Sequence, residues 1–465
     1  MSAVRFGTDG WRGVIADDFT FDGVLVVSRA IGRYLLDHGM GGREVLVARD
    51  ARFLGDAFSR LCAGELSSMG LEPVLLEGVS ATPACAHAIV SRRAAGAVMF
   101  TASHNPPHYQ GMKFIPHYGG PAFSEITSEI ERNIADLLVS EPRPKRRPFE
   151  GEEVDLSQAY LDHVRSLVGD LGRLDGVRVA YDGMHGSGGR YVKPLLQSLG
   201  VDFVCLRERP DPTFGGVSPE PKAETLRDLI SLCERDGYLG LATDGDADRF
   251  GVVDIGGVFF PANRVLALLY WYLLREGKRG GVARTVSTTH MLDAIASRRS
   301  QRCFETPVGF KHLAKLMLAE DVLLAGEESG GMSVKGHVPE KDGVLACLLV
   351  VKMVSSTGMS LSALWEELVE ELGFQLYSRR RDVECSSEEK ARILARMEGE
   401  DLSSRFGLPV SKELRVDGLK LVFEDGSWVL IRPSGTEDMV RIYAEAFSPS
   451  QVDQLIARAE GLLEV

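Results

Sequence analysis

Thr101-Ala102-Ser103-His104-Asn105-Pro106-Pro107 follows the apolar run Ala97-Val98-Met99-Phe100. A run of that length reads as a buried strand, and in an open α/β sheet such a strand delivers the next residues to the end where ligands bind. Asn105-Pro106 is a turn signal, and Pro106 disfavours a helical conformation at Asn105. Ser103 is therefore expected on a tight, exposed turn, with the imidazole of His104 and the amide of Asn105 beside its hydroxyl. A serine capping the next helix fits the same seven residues.

Working outward, a strand feeding a polar loop recurs. Glu44–Ala48 reads as a strand before Arg49-Asp50-Ala51-Arg52, and Val24–Leu36 as a helix that stops at His38-Gly39. Val177–Tyr181 runs into Asp182-Gly183-Met184-His185-Gly186-Ser187-Gly188-Gly189. Leu239–Ala242 runs into Thr243-Asp244-Gly245-Asp246-Ala247-Asp248-Arg249, and Val322–Ala325 into Gly326-Glu327-Glu328-Ser329-Gly330-Gly331. Helical patterns such as Ser124–Leu138 alternate with these strands, the signature of parallel strands with helices on their faces. The spacing is irregular, which excludes a solenoid. After about Leu372 the style changes. Asp425-Gly426 separates the strands Leu419–Glu424 and Ser427–Arg432 as a hairpin turn, and Val440–Ala446 and Gln451–Leu463 follow as strand and helix.

The chain has 465 residues, 44% hydrophobic and 26% charged, with a formal net charge of -13. These are globular proportions. The acidic balance argues against nucleic acid or an acidic membrane surface as partner, while local arginines can still hold a small anion. Seven dispersed cysteines without a CxxC pair suggest reduced thiols in a cytoplasmic protein. The longest apolar runs, Val265–Leu274 and Val344–Val351, are too short for a bilayer and read as buried helices.

Three loops carry recognisable chemistry. Asp244, Asp246 and Asp248 are spaced two apart. At about 5 Å and an effective dielectric of about 20, each pair repels by roughly 3 kcal/mol, which a cation offsets. The donors are all oxygen, so Mg²⁺ is the expected ion. An EF-hand calcium loop needs glycine and glutamate where Arg249 and Ile255 stand, and a solvated acidic loop is the remaining alternative. Arg432-Pro433-Ser434-Gly435-Thr436 joins a guanidinium, hydroxyls and turn amides, which suits a phosphate dianion, though an ordinary connecting turn has the same composition. Glu327 and Ser329 suit sugar hydroxyls, or the capped start of a helix. Together a serine, a magnesium site, a polyol-binding pair and an anion pocket describe phosphoryl transfer on a sugar phosphate.

The chain resembles the α-D-phosphohexomutase superfamily of phosphoglucomutases and phosphomannomutases. The resemblance rests on Thr101–Pro106, Asp244–Arg249, Gly326–Gly330 and Arg432–Thr436 in the family's order, with Gly7-Thr8-Asp9-Gly10-Trp11-Arg12-Gly13 as a fifth signature. It implies three similar α/β domains with mixed sheets plus a smaller α+β C-terminal domain around a central cleft. The expected domains are 1–150 with the phosphoserine loop, 151–255 with the metal loop, 256–371 with the sugar loop and 372–465 with the phosphate loop. The resemblance further implies that Ser103 carries a phosphoryl group and that Ser103, Asp244, Asp246 and Asp248 ligate Mg²⁺. Lys113 is then a candidate general acid/base, with Arg12, Arg249 and His104 around the reacting groups. Glu327 and Ser329 would grip the sugar, and Arg432, Ser434, Gly435 and Thr436 its distal phosphate. Glucose 1,6-bisphosphate would be intermediate and activator. The partner is a small sugar phosphate, with no nucleic acid or membrane, and the protein a monomer or homodimer. Many relatives acting on mannose or glucosamine phosphate carry histidine after the Ser-Gly of the sugar loop. Here Gly331 stands there, and Lys335–Gly343 looks more like phosphoglucomutases, so glucose phosphate is the expected substrate. The alternatives are a phosphomannomutase or phosphoglucosamine mutase, a phosphatase working through phosphoserine, which the Arg432–Thr436 loop disfavours, and a catalytically silent sugar-phosphate-binding regulator.

Overall fold

The computed structural model describes residues 6, 10–140, 146–171, 174, 176–399, 406–434 and 438–463. They form four sheets. The first contains β1 (Trp11–Val14), β2 (Glu44–Arg49), β3 (Glu72–Leu76), β4 (Gly96–Phe100), β5 (Tyr109–Pro116) and β6 (Glu153–Val154), in the order β1-β5-β4-β2-β3-β6. Strands β4, β2, β3 and β6 are parallel, whereas β5 runs antiparallel to both β4 and β1. Every residue of β4 is buried, as a strand covered on both faces requires.

The second sheet holds β7 (Arg178–Asp182), β8 (Asp202–Leu206), β9 (Leu239–Thr243), β10 (Phe250–Asp254) and β11 (Val258–Phe260), ordered β11-β10-β9-β7-β8. The third holds β12 (Gly281–Thr285), β13 (Cys303–Thr306), β14 (Val322–Gly326) and β15 (Met332–Val334), ordered β13-β12-β14-β15. In both, the parallel core again gives way to an antiparallel edge, at β9/β10 and β14/β15. The three sheets thus share one construction, and the alternation of strands and helices in the sequence reports only their parallel part. The antiparallel edge strands are short or follow tight turns, so they leave no helix between them to be seen.

The Ser103 loop joins β4 to β5, the Asp244–Asp248 loop joins β9 to β10, and the Glu327–Gly330 turn joins β14 to β15. All three occupy the same place, where a buried parallel strand reverses into its antiparallel neighbour. The Glu327–Gly330 segment is a turn between strands and not a helix start.

The fourth sheet, β16 (Tyr377–Glu384), β17 (Val410–Leu414), β18 (Leu419–Phe423), β19 (Trp428–Pro433) and β20 (Met439–Ala446), is antiparallel throughout, in the order β16-β20-β19-β18-β17. Its β18–β19 reversal uses Gly426 at φ 87°, with Ser427 donating its amide and hydroxyl to the Asp425 carboxylate. A left-handed φ of this kind favours glycine. The helix Pro449–Leu463 packs on this sheet through Val452, Leu455 and Ala459.

The apolar runs form the buried helices Ala262–Arg275 and Gly343–Thr357. The second of these packs on β9 and β10 of the second sheet as well as on its own domain. One continuous apolar cluster therefore joins Val179, Leu241 and Val252 to Leu266, Leu324 and Leu345, while the first and fourth domains each have a main cluster of their own and a small one joins Val286 to Trp428, Leu430 and Tyr443. At the other boundary, β6 extends the first sheet past residue 150. Among the described residues no single helix is long and apolar enough to cross a membrane.

Candidate active site

Ser103 has φ 48°, a left-handed conformation rare for a side-chain-bearing residue. Its amide donates to Thr101 Oγ1 at 2.8 Å, and Thr101 Oγ1 donates to Asp50 Oδ2 at 2.6 Å. Contrary to the exposed turn expected from the sequence, Ser103 is only 2% exposed. The cause is the loop after β9, which lies directly on it. A Cβ added at Gly245 would come within 2.6 Å of the Ser103 carbonyl oxygen, so that contact requires glycine. The Ser103 hydroxyl donates to Asp244 Oδ2 at 2.7 Å, and His104 Nδ1 lies 3.5 Å from the same hydroxyl. Burial, reinforced by the charges of Arg249 and Arg12, holds the His104 imidazole neutral, well below its ordinary pKa.

The carboxylates of Asp244, Asp246 and Asp248 are buried and offer oxygens within 4.8 Å of one another. The tight turn that gathers them places Ala247 at φ 58° and directs the Arg249 amide to Asp244 Oδ1 at 3.0 Å. At the margins, Thr82 Oγ1 donates to Asp246 Oδ2 at 2.6 Å and Lys113 Nζ lies 3.2 Å from the same oxygen. Lys341 Nζ lies 3.2 Å from Asp248 Oδ2. Burial and the neighbouring Asp248 and Asp246 raise the Asp244 carboxyl well above its usual range. Burial opposes the charge of Asp246 too, but Lys113, Thr82 and Lys341 outweigh it and hold that carboxyl low. Asp246 Oδ1 and Asp248 Oδ1 are buried without a hydrogen-bond partner. Orphaned carboxylate oxygens in an all-oxygen donor set fit a hard divalent cation.

The other expected residues gather around this centre. Arg12, on β1, donates through Nη1 to Asn105 Oδ1 at 2.8 Å. Lys113 is 5% exposed on β5, directly opposite Met99 of β4. Arg249 bridges to Gly331, and the Phe250 amide donates to Gly330 O at 3.0 Å, joining the Asp244–Asp248 loop to the Glu327–Gly330 turn. Glu327 is buried and accepts from the Gly309 amide at 3.0 Å. Burial raises its pKa against the pull of Lys341 and Arg249. Ser329 is half-buried on the same turn. Arg432, at the end of β19, donates through Nε to Asp417 Oδ2 at 2.8 Å, and the same oxygen accepts from the Val308 amide at 3.0 Å. This ties the fourth domain to the loop that holds Glu327. Ser434 is buried, with its amide on Met439 O at 2.9 Å. Gly435 and Thr436 lie outside the described residues, as do Gly7, Thr8 and Asp9 of the N-terminal signature.

Sequence reasoning missed Thr82 and Lys341. Thr82 opens a helix of the first domain and carries no local signal. Lys341 had one: Glu340-Lys341-Asp342 stands just before the apolar run Val344–Val351, and all three residues are buried. A Cβ at Gly331 would fall 2.3 Å from Lys341 Cδ. The lysine stem therefore occupies the space that a side chain at 331 would enter.

Comparison with known proteins agrees with this arrangement. The chain matches the phosphoglucomutase/phosphomannomutase alpha/beta/alpha domains I, II and III over residues 3–138, 158–257 and 261–372, and the family's C-terminal domain over 383–461. It is 31% identical to the phosphoglucomutase/phosphomannomutase of Thermococcus kodakarensis, covering 99% of this chain and 98% of that one. It is 33% identical to a probable phosphoglucosamine mutase of Methanopyrus kandleri, over 97% and 95% of the two chains. A crystal structure from Thermus thermophilus, 37% identical, superposes with a TM-score of 0.88 over 100% of both chains. Four matching domains in order, over nearly the full length of relatives above 30% identity, place this chain in the phosphoglucomutase/phosphomannomutase family of phosphohexomutases, isomerases that move a phosphoryl group within a sugar phosphate.

Proposed function

We propose that the protein interconverts hexose 1-phosphate and hexose 6-phosphate, with Ser103 as phosphoryl carrier and glucose phosphate as preferred substrate. The observation that carries this reading is the Ser103 hydroxyl 2.7 Å from Asp244, inside a cluster of three carboxylates and two lysines. In the reading, phosphoserine 103 donates its phosphoryl group to the substrate's free hydroxyl. The resulting glucose 1,6-bisphosphate turns end for end, and its other phosphate returns to Ser103. Asp244, Asp246 and Asp248 would hold Mg²⁺, which when bound neutralises charge on the phosphoserine. Lys113, buried beside Asp246, would take or return the hydroxyl proton, and Arg12 and Arg249 would supply positive charge around the transferring group. His104, kept neutral, can donate or accept a hydrogen bond at the Ser103 oxygen without adding charge.

Glu327 and Ser329 bind sugar hydroxyls, and Arg432, Ser434, Gly435 and Thr436 the non-reacting phosphate. The tie from Arg432 through Asp417 to Val308 and Gly309 supports this, because it sets the two ends of the substrate site at a fixed separation. Burial of Ser103 supports transfer over hydrolysis, since water is kept from the phosphoryl group. Glucose preference rests on Gly331 and on Lys341, which fills the adjoining space. A second reading, phosphoglucosamine mutase, is favoured by the equally similar Methanopyrus relative. The test is kcat/KM for glucose, mannose and glucosamine 1-phosphates at saturating bisphosphate, with intact mass of parent and Ser103→Ala. A phosphate adduct lost in Ser103→Ala with turnover abolished is expected. A fully active Ser103→Ala enzyme overturns the mechanism, and a tenfold advantage for another sugar overturns the glucose assignment alone.

A further inference from the structure

Arg52 has no part in the chemistry above, yet it is the most heavily engaged side chain beneath Ser103. It is 3% exposed. Its Nη2 donates to Ser103 O at 2.7 Å and Asn105 O at 2.6 Å, and its Nη1 to Pro106 O and Tyr109 O, both at 2.9 Å. Four carbonyls from seven consecutive residues thus converge on one guanidinium. The reason is local. Pro106-Pro107 has no backbone N–H, and the loop turns its carbonyls inward, where the Tyr109 amide reaches one of them, Pro106 O, at 3.0 Å. Only a planar group with five donors can satisfy such a set, and a lysine ammonium offers three from a single point.

Two further contacts fix the guanidinium. Asp50 Oδ2 lies 3.3 Å from Nε as an ion pair, and Asp50 Oδ1 accepts from the Arg52 amide at 2.9 Å. Asp50 also accepts from Thr101, which in turn accepts from the Ser103 amide. Arg52 therefore holds the carbonyl side of Ser103 while Asp50, through Thr101, holds its amide side. From the second domain, the ring of Phe214 covers the guanidinium with its centroid 4.9 Å from Cζ. Phe214 is itself buried, at the start of the turn Phe214–Gly216.

We propose that Arg52 is a positioning residue for phosphoryl transfer: it locks Ser103 in its left-handed conformation with Oγ aimed at the carboxylate cluster, and Phe214 makes that lock depend on docking of the second domain. The proposal rests on Ser103 being the phosphate carrier. Gripping both sides of one strained residue fixes the direction of its Cβ–Oγ bond, and a displacement of about 1 Å at a reacting atom costs on the order of a hundredfold in rate.

The test compares Arg52→Lys, Phe214→Leu and Ser103→Ala in the full-length protein, with glucose 1-phosphate turnover expressed per folded molecule from a melting curve. Arg52→Lys is expected to lower kcat by about thirtyfold or more with KM within about threefold, because the distal phosphate and sugar contacts are untouched. Phe214→Leu, which leaves every carbonyl paired, is expected to lower kcat in the same direction by a smaller factor. A purely structural arginine would instead lower the folded fraction and leave kcat per folded molecule unchanged, and that result overturns the proposal. Should Arg52→Lys not fold, Phe214→Leu decides: an unchanged kcat overturns the coupling and the lock with it. Ser103→Ala separates the two levels. If it is inactive and Arg52→Lys is normal, only the positioning role falls. If it is active, the carrier assignment falls first.

Discussion

Ser103 of the first domain donates its hydroxyl to Asp244 of the second across 2.7 Å, so the proposed phosphoryl carrier and the carboxylates proposed to hold the metal come from different sheets. Each stands where a parallel strand reverses into an antiparallel one, β4 into β5 and β9 into β10. The sugar loop repeats this position in the third sheet. Three such reversals brought together make one polar centre at the ends of β4, β9 and β14, strands whose every residue is buried.

Removal of divalent metal is the first expectation to check. One oxygen each of Asp246 and Asp248 is buried without a hydrogen-bond partner, and burial with its carboxylate neighbours holds the Asp244 carboxyl well above its usual range. Chelation should abolish turnover, added Mg²⁺ should restore it, and Asp246→Asn should weaken magnesium binding by about tenfold or more, or about 1.4 kcal/mol. Titration calorimetry giving Asp246→Asn the parent's affinity would place the metal elsewhere.

The fourth domain meets the third through Lys420. Its Nζ donates to Glu305 Oε1 and Val286 O, each at 2.7 Å, and lies 4.3 Å from the Trp428 ring centroid. Glu305 also accepts from Arg284 Nη1 at 2.8 Å. Lys420→Met removes one partner of a buried pair, which costs about 3 kcal/mol. Glu305 retains Arg284 and partial solvent, so the smaller end of that range is expected. Solution scattering should show a larger radius of gyration for Lys420→Met, reduced by saturating bisphosphate that bridges the third and fourth domains. Identical profiles for parent and variant would mean that other contacts hold the domain.

Much of this was legible in the sequence because function and strand ends coincide. Apolar runs such as Ala97–Phe100 and Leu239–Ala242 mark buried strands, and the polar residues after them mark loops. Ser103, the aspartates and Glu327 stand in such loops, and the family resemblance chose between the readings that those loops left open and supplied the expectation for Arg249. Three things were not legible. The burial of Ser103 depends on Gly245 from another domain. Lys341 reaches Asp248 from 93 positions away in the chain. The sharing of one core by the second and third domains arises because the helix Gly343–Thr357 is apolar on all sides over Val344–Val351, a pattern that announces burial without saying between which sheets.

A pH effect follows from three imidazoles at the junction of three domains. The His87 ring stacks on His163 with centroids 4.6 Å apart, His163 Nε2 lies 3.0 Å from His337 Nδ1, and His337 Nε2 lies 2.9 Å from Asp342 Oδ2. Burial, then the neighbouring His163 and His337, push His87 down to about 4. In the unfolded chain its pKa is about 6.5. Between these values the unfolded state binds the extra proton, so this contribution to stability is present above pH 6.5 and is lost as pH falls toward 4. Urea midpoints should drop between pH 7 and pH 5, and His87→Gln should flatten the drop. Parallel pH dependence in parent and variant would remove His87 as the cause.

Gly331 and Lys341 should prove to be one functional unit. A methyl at 331 would meet Lys341 Cδ at 2.3 Å and Cγ at 2.8 Å. Both atoms belong to a flexible stem, so Gly331→Ala is accommodated by displacing the lysine, at an overpacking cost of about 1–3 kcal/mol. The displaced ammonium then leaves Asp248, from which it now stands 3.2 Å away. Activity should fall by about tenfold or more, since one charge-assisted contact is worth about 1.5–3 kcal/mol. Lys341→Met removes the same charge while keeping the stem's bulk, and should cost a similar factor in activity, with a loss of stability that the remaining Lys113 contact to Asp248 at 3.6 Å limits. The informative measurement is the double mutant. If Gly331→Ala acts only by moving the Lys341 ammonium, it has nothing left to move in a Lys341→Met background, and kcat/KM should fall little further. Fully additive losses would show that glycine is needed at 331 for a reason other than the position of the Lys341 ammonium, and the two residues would then act independently.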